Sequence, residues 1–199
     1  KRQGLAHAKA LLNTGRFEEV LKVLESIQVL PYEHDSESRE IYERAHMAVA
    51  KSHFEKKDYK KAIVILEKSK EWPENIGVGK PYAPDEREQD FLLSLAFEAN
   101  GETENSKSLS EQVIAYTEDH LNNNSLNHLY GLLALKQSGD TLKQTEVLKK
   151  LKAFVGEQYT NTQLAVAFYE NDTKALAKLK SENVVPENLW ELAAWASKK

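Results

Sequence analysis

The chain has 199 residues, of which 41% are hydrophobic and 29% charged, enough for one compact globular domain or one array of repeats. Its net charge of -4, with both signs interspersed, lacks the concentrated basic face that nucleic acid rewards, and no apolar run reaches the ~18 residues that a membrane-spanning helix needs. There is no cysteine, which excludes disulfides, thiol catalysis and cysteine-ligated zinc without fixing the compartment. An aqueous setting, the cytoplasm by default, is expected.

The chain opens on Lys1 rather than methionine, and its first residues already read as helix, so a piece of a longer protein is expected. The segment "AHAKALLNTGRFEEVLKVLESIQVLP" begins with an amphipathic helix running to about Asn13. Gly15 supplies the left-handed turn residue that stops it. Phe17 opens a second helix, with Val20, Leu21, Leu24 and Ile27 at helical spacing and Pro31 as its end. The following "YEHDSES" is expected to form a loop or extend a helix end. The same order returns in "AVAKSHFEKKDYKKAIVILEKSKEWP", where Lys57-Asp58-Tyr59 stands in for Gly15-Arg16-Phe17 and Ala62, Ile63, Leu66 and Pro73 fall at matching offsets.

"WPENIGVGKPYAPDE", residues 72–86, then interrupts the helical pattern. Its "GVGK" is no phosphate loop: no strand precedes it, and Lys80 is followed by Pro81 rather than by Ser or Thr. Pro73, Pro81 and Pro84 forbid helix, and a connector packed on the helices, with a possible docking edge at Trp72, Lys80 and Tyr82, is the expectation. Asp85 is expected to cap the next helix in a capping box with Glu88.

Three further pairs follow, turning at Gly101, Gly139 and Asn171-Asp172, and a last helix starts at Pro186 with Trp190 and Trp195 placed to cover an open end. A pair joined by so short a turn must be antiparallel, and one pair cannot bury both its faces. The predicted fold is therefore all-α: an α-solenoid of about five antiparallel helix pairs with a C-terminal capping helix, spanning 1–199 as a single domain.

The pattern resembles the tetratricopeptide repeat family. Ala8, Gly15, Phe17 and Pro31 match its motif in the first copy, and Ala50, Tyr59, Ala62 and Pro73 in the second, while Thr103, Thr141 and Thr173 replace the aromatic in the later ones. More narrowly, residues 72–104 are similar to a segment of bacterial multidomain proteins that join a mutarotase-like β-sandwich of unknown function to a tetratricopeptide tail. The family resemblance implies a concave face lined by the first helix of each pair. On this chain those positions are Leu5, Lys9 and Asn13; Met47, Lys51 and Phe54; Phe91, Leu95 and Glu98; and Leu129, Leu133 and Lys136. Leucine and methionine stand where the family's binders of chaperone tails need polar donors.

His46 and His53, seven residues apart, are read as ring-packing residues rather than metal ligands, and His120 and His128 as exposed around a turn. No catalytic constellation, cofactor or metal site is expected. The functional expectation is a non-enzymatic scaffold that binds a peptide, a protein or a domain of its parent chain. Phe54, Phe91 and Leu133 would be apolar anchors, and Lys9, Lys51 and Lys136 would give orientation. The alternative is a helical accessory module of a carbohydrate-active enzyme, with Tyr59, Trp72 and Tyr82 as an aromatic surface.

Overall fold

The structure is a computed structural model and describes residues 2–31, 36–154 and 156–199. The residues Tyr32 to Asp35, where a loop or helix extension is expected, lie outside them. Among the described residues every regular element is helical: α1 (Arg2–Asn13), α2 (Phe17–Ser26), α3 (Glu37–Glu55), α4 (Tyr59–Ser69), α5 (Arg87–Ala99), α6 (Thr103–Asp119), α7 (His128–Ser138), α8 (Thr141–Lys152), α9 (Thr160–Glu170), α10 (Thr173–Ser181) and α11 (Glu187–Ala196). Two single turns of 3-10 helix, Glu74–Ile76 and Glu157–Tyr159, complete the set.

Five tight turns share one design. A residue in the left-handed conformation ends the first helix of each pair: Gly15 (φ 75°), Lys57 (φ 59°), Gly101 (φ 84°), Gly139 (φ 75°) and Asn171 (φ 55°). The second helix starts two residues later every time, at Phe17, Tyr59, Thr103, Thr141 and Thr173. In four of the turns the next N–H reaches back five residues, Arg16 to Leu11 O, Asp58 to His53 O, Glu102 to Phe97 O and Asp172 to Ala167 O, at 2.8–3.0 Å. These bonds satisfy carbonyls that a helix end otherwise leaves open. Asp140 and Asp172 also cap α8 and α10 through backbone N–H groups of Lys143 and of Lys174 and Ala175.

The helices gather into two compact units, 1–84 and 85–199. In the first, α1 packs on α2, α2 on α3 and α3 on α4, and α1 also meets α3. Its core holds Ala8, Leu11, Leu12, Val20, Leu24, Ile41, Tyr42, Ala45 and Ile76. In the second, α5, α6 and α7 pack on one another, α7 meets α8 and α9, and α9 meets α10. Leu132, Leu135, Val147, Leu151 and Val166 form one of its apolar clusters. α7 approaches α6 so closely that a Cβ on Gly131 would stand 2.1 Å from Thr117 Oγ1. α11 buries Leu192, Ala193 and Ala196, and the Trp190 ring meets Phe168 edge-on at 4.9 Å.

Two boundaries differ from expectation. α2 ends at Ser26, well short of Pro31. Asn75 is the reason: its amide donates to Leu24 O (2.8 Å) and Ile27 O (3.0 Å), and its own carbonyl accepts from Val29 N (2.8 Å). These bonds from the connector take up the last carbonyls of α2 and turn the chain away. Further on, the residue immediately preceding α5 is Glu86; Asp85 still accepts a first-turn N–H, but from Arg87 (3.3 Å) rather than from Glu88 as a capping box requires. Glu88 is buried and accepts from the Tyr130 hydroxyl at 2.6 Å.

The connector is divided. Its first part is built into the first unit: Ile76 is a core residue, and its carbonyl accepts from the buried Ser38 hydroxyl at 2.6 Å. Gly77 (φ 71°) lies so close to the chain before it that a Cβ would stand 2.7 Å from Val29 O. The half-buried Trp72 has the Arg39 guanidinium 4.5 Å above its ring. Residues 79–83 are exposed, and Tyr82 is fully so.

Candidate functional site

The second unit carries a groove. It has a volume of about 710 Å3 and lies along one stripe of α6, where Thr103, Ser106, Lys107, Ser110, Glu111 and Ile114 recur at helical spacing. The C-terminal half of α5 contributes Leu95 and Glu98, and the end of α7 contributes Gln137 and Ser138. Apolar carbon from Leu95 and Ile114 is surrounded by hydroxyls, an amide, two carboxylates and one ammonium. Such a surface can hold an extended segment through hydrogen bonds and a small apolar contact. It offers no paired acid and base, and among the described residues no group of three or more His, Cys, Asp or Glu is placed to hold a metal ion.

The residues expected on a concave face separate by burial. Met47 is 2% exposed, Phe91 0% and Leu133 4%, so these three are packing residues and present no surface to an incoming peptide. The physical reason is the close stacking of neighbouring helices, which claims these large apolar side chains. Phe54 is partly buried and meets Tyr59 edge-on at 5.2 Å. The polar positions remain near solvent: Asn13, Glu98 and Lys136 are exposed and Lys51 half-buried. Lys9 is held by Glu37 at 2.5 Å. Of the whole set, Leu95 and Glu98 line the groove. The groove's other residues come mainly from α6, a second helix of its pair, where the family pattern gave no reason to look. Their recurrence at three and four residues on a largely polar helix is the signal that was available.

The three aromatics of the alternative reading have separate partners. Tyr59 sits against Phe54 and Trp72 beneath Arg39, which leaves Tyr82 as the free ring among them. Lys80 is exposed beside it.

The most elaborate polar arrangement in the second unit is one the sequence reading missed. Arg87, 1% exposed, opens α5 and uses all five N–H donors. It grips Asp85 with Nε to Oδ1 (2.8 Å) and Nη2 to Oδ2 (2.7 Å). Its Nη1 donates to Thr117 Oγ1 (3.2 Å) and His128 Nδ1 (3.0 Å), and Nη2 to Ser125 Oγ (3.3 Å). The Tyr116 ring lies 5.2 Å from the guanidinium. His128 is fully buried rather than exposed at a turn. Because Arg87 can only donate, His128 Nδ1 must accept, and its Nε2–H donates to Asn123 O at 2.8 Å. Burial pushes this imidazole down to about 4, and the adjacent Arg87 cation adds to the effect. For Asp85, burial pulls upward, but the hydrogen bonds and charge of Arg87 outweigh it and hold the carboxyl below its ordinary value.

The asparagine-rich segment after α6 closes the arrangement. Thr162 of α9 donates its N–H to Asn124 Oδ1 (3.1 Å) and its hydroxyl to Asn123 O (3.1 Å). Thus α5, α6, α7 and α9 are tied through one internal network. Every strong donor is consumed by protein, so this is a fastener rather than a binding site. No protein-family model, curated protein or solved structure matches the chain.

Proposed function

We propose that the chain is a non-enzymatic helical-repeat scaffold of the tetratricopeptide type, an α-solenoid of about five antiparallel pairs with α11 as its cap. Its task is to hold an extended peptide or partner-domain segment. Support for the repeat architecture comes from the shared turn design at Gly15, Lys57, Gly101, Gly139 and Asn171 and from the contacts of α1 with α3, α5 with α7 and α7 with α9. The observation that carries the binding role is the α6 groove, whose polar rim and short apolar floor suit an uncharged or mildly basic strand of peptide, Glu98 and Glu111 outnumbering Lys107. A preformed groove loses little conformational freedom on binding. The accessory role beside a catalytic domain would rest on Tyr82 alone.

The test is a random-peptide display selection against the whole chain, followed by affinity measurement with Ser110→Trp, which fills the groove from the middle of its helical wall. Peptides bound at micromolar strength by the parent and lost at least tenfold by Ser110→Trp, with unchanged melting, support the reading. Selected peptides that bind Ser110→Trp equally well would remove the groove from the account.

A further inference from the structure

The first unit holds a second, smaller cavity of about 160 Å3, roughly the liquid volume of five water molecules. It opens between α2, α3, the end of α4 and the packed start of the connector. We infer that this pocket binds the cationic head of an alkylammonium or alkylguanidinium group.

The argument rests on an inventory of donors and acceptors. His46 lines the pocket and is 5% exposed. Its Nδ1 is engaged with Tyr42 O at 2.8 Å, and since a carbonyl only accepts, Nδ1 carries the proton. Nε2 is then a bare lone pair, and no group among the described residues bonds to it. Asn75 has both of its amide hydrogens committed to Leu24 O and Ile27 O, so its Oδ1 remains an acceptor. The Tyr42 hydroxyl donates to Lys68 O at 3.0 Å and keeps its own lone pairs. Glu25 and Glu71 complete the lining with two carboxylates, neither in an ion pair among the described residues. Both lie near enough to the Tyr42 hydroxyl to help burial push it up to about 12.

The pocket is therefore rich in acceptors and poor in donors. Besides His46, the basic residue of the lining is Lys68, which makes no ion pair with either carboxylate among the described residues, and the Arg39 guanidinium behind the lining also acts on Tyr42 and His46. Water could donate to these atoms, but it brings no charge to offset the carboxylate that the single Lys68 ammonium of the lining leaves unbalanced. A metal would need its ligands gathered at one point, and no such cluster of His, Asp and Glu occurs among the described residues. A compact cation bearing two to five N–H groups on an alkyl stem satisfies both requirements, its stem lying along Leu21, Leu24 and Pro73. The inference stands independently of the α6 groove, which belongs to the other unit.

The probe is the side-chain 15N spectrum of the intact chain labelled in histidine, titrated at pH 7 with n-butylammonium and methylguanidinium, and with n-butanol and butyrate as neutral and anionic controls. Both cations should move the His46 Nε2 resonance saturably in the millimolar range, while the controls leave it in place. Glu25→Gln/Glu71→Gln changes two exposed side chains and should weaken both cations at least tenfold without altering the melting temperature. Capped lysine and arginine amides distinguish the source: tighter binding than the free amines assigns the pocket to a basic side chain of a partner, and weaker binding assigns it to a small free amine. No saturable shift, an equal shift with butanol, or a shift retained in the double glutamine variant would each overturn the inference.

Discussion

Arg87 shows how one side chain can organise a unit without forming a site. A guanidinium in a dry interior is tolerated only when its charge is matched and each N–H has an acceptor. Asp85 supplies the charge, and Thr117, Ser125 and His128 supply the remaining acceptors. Arg87→Met should therefore cost about 3–5 kcal/mol, because it strands the Asp85 carboxylate and the His128 lone pair. Urea unfolding with an unchanged m-value would measure it, and a loss below 1 kcal/mol would contradict the network's role. His128 has a pH consequence of fixed sign. In the folded chain it stays neutral down to about 4, whereas its ordinary value is 6.5. Between these values the unfolded chain binds the extra proton, so stability falls as pH falls, by at most about 1.4 kcal/mol per pH unit. Buried His46 is shifted in the same direction and adds to the slope. Asp85, held low, contributes at pH values above its ordinary 3.8 and loses that contribution only in stronger acid. Unfolding titrations at pH 7, 6 and 5 should show the decline, and His128→Gln should flatten it.

The turns between paired helices allow a finer comparison. Gly101 and Gly139 have positive φ with open space where a Cβ would go, so alanine there meets only the conformational penalty, about 1 kcal/mol. Gly77→Ala combines the same penalty with a collision against Val29 O and should cost clearly more than either. Lys57 occupies the equivalent left-handed position with a side chain that gains nothing from it. Lys57→Gly should stabilise by about 1 kcal/mol, and thermal melts of the four variants would establish the order. The connector separates the same way: Lys80→Ala and Tyr82→Ala should leave stability unchanged, while Trp72→Ala, which uncovers Arg39, should cost roughly 2–3 kcal/mol. The turn residues and the start of each second helix were legible in the sequence because glycine, asparagine and the hydrophobic period act within a few residues. The end of α2 was not, because Asn75, far along the chain, is what stops it.

Taken whole, the chain distributes its apolar residues between two compact units that meet in sequence at Pro84 and Asp85. The first has its own core, which includes Ile76 of the connector, and the second has the Arg87 network and a separate apolar cluster. Residues 1–84 and 85–199 expressed separately should each give a helical circular-dichroism spectrum with a cooperative melt. A fragment that remains unfolded alone would show that its stability depends on the rest of the chain. No helix among the described residues is long and apolar enough to cross a membrane. For the same chain, ATP or GTP with magnesium should give no binding heat, since Lys80 is followed by Pro81 rather than by Ser or Thr and no strand precedes it among the described residues.

Composition and period were sufficient for the all-helical class, for the pairing of helices and for the left-handed turns, since each of these depends on neighbours within one or two helical turns. Function-bearing surface is another matter. Met47, Phe91 and Leu133 occupy positions that a repeat pattern marks as ligand-facing, yet packing buries them. A periodic apolar residue looks the same in sequence whether it faces a ligand or an adjacent helix. The Arg87 network, the acceptor-lined pocket around His46 and the α6 groove each join side chains that are dozens of residues apart. Burial and hydrogen-bond partnership are properties of that convergence, and only the folded chain brings it about.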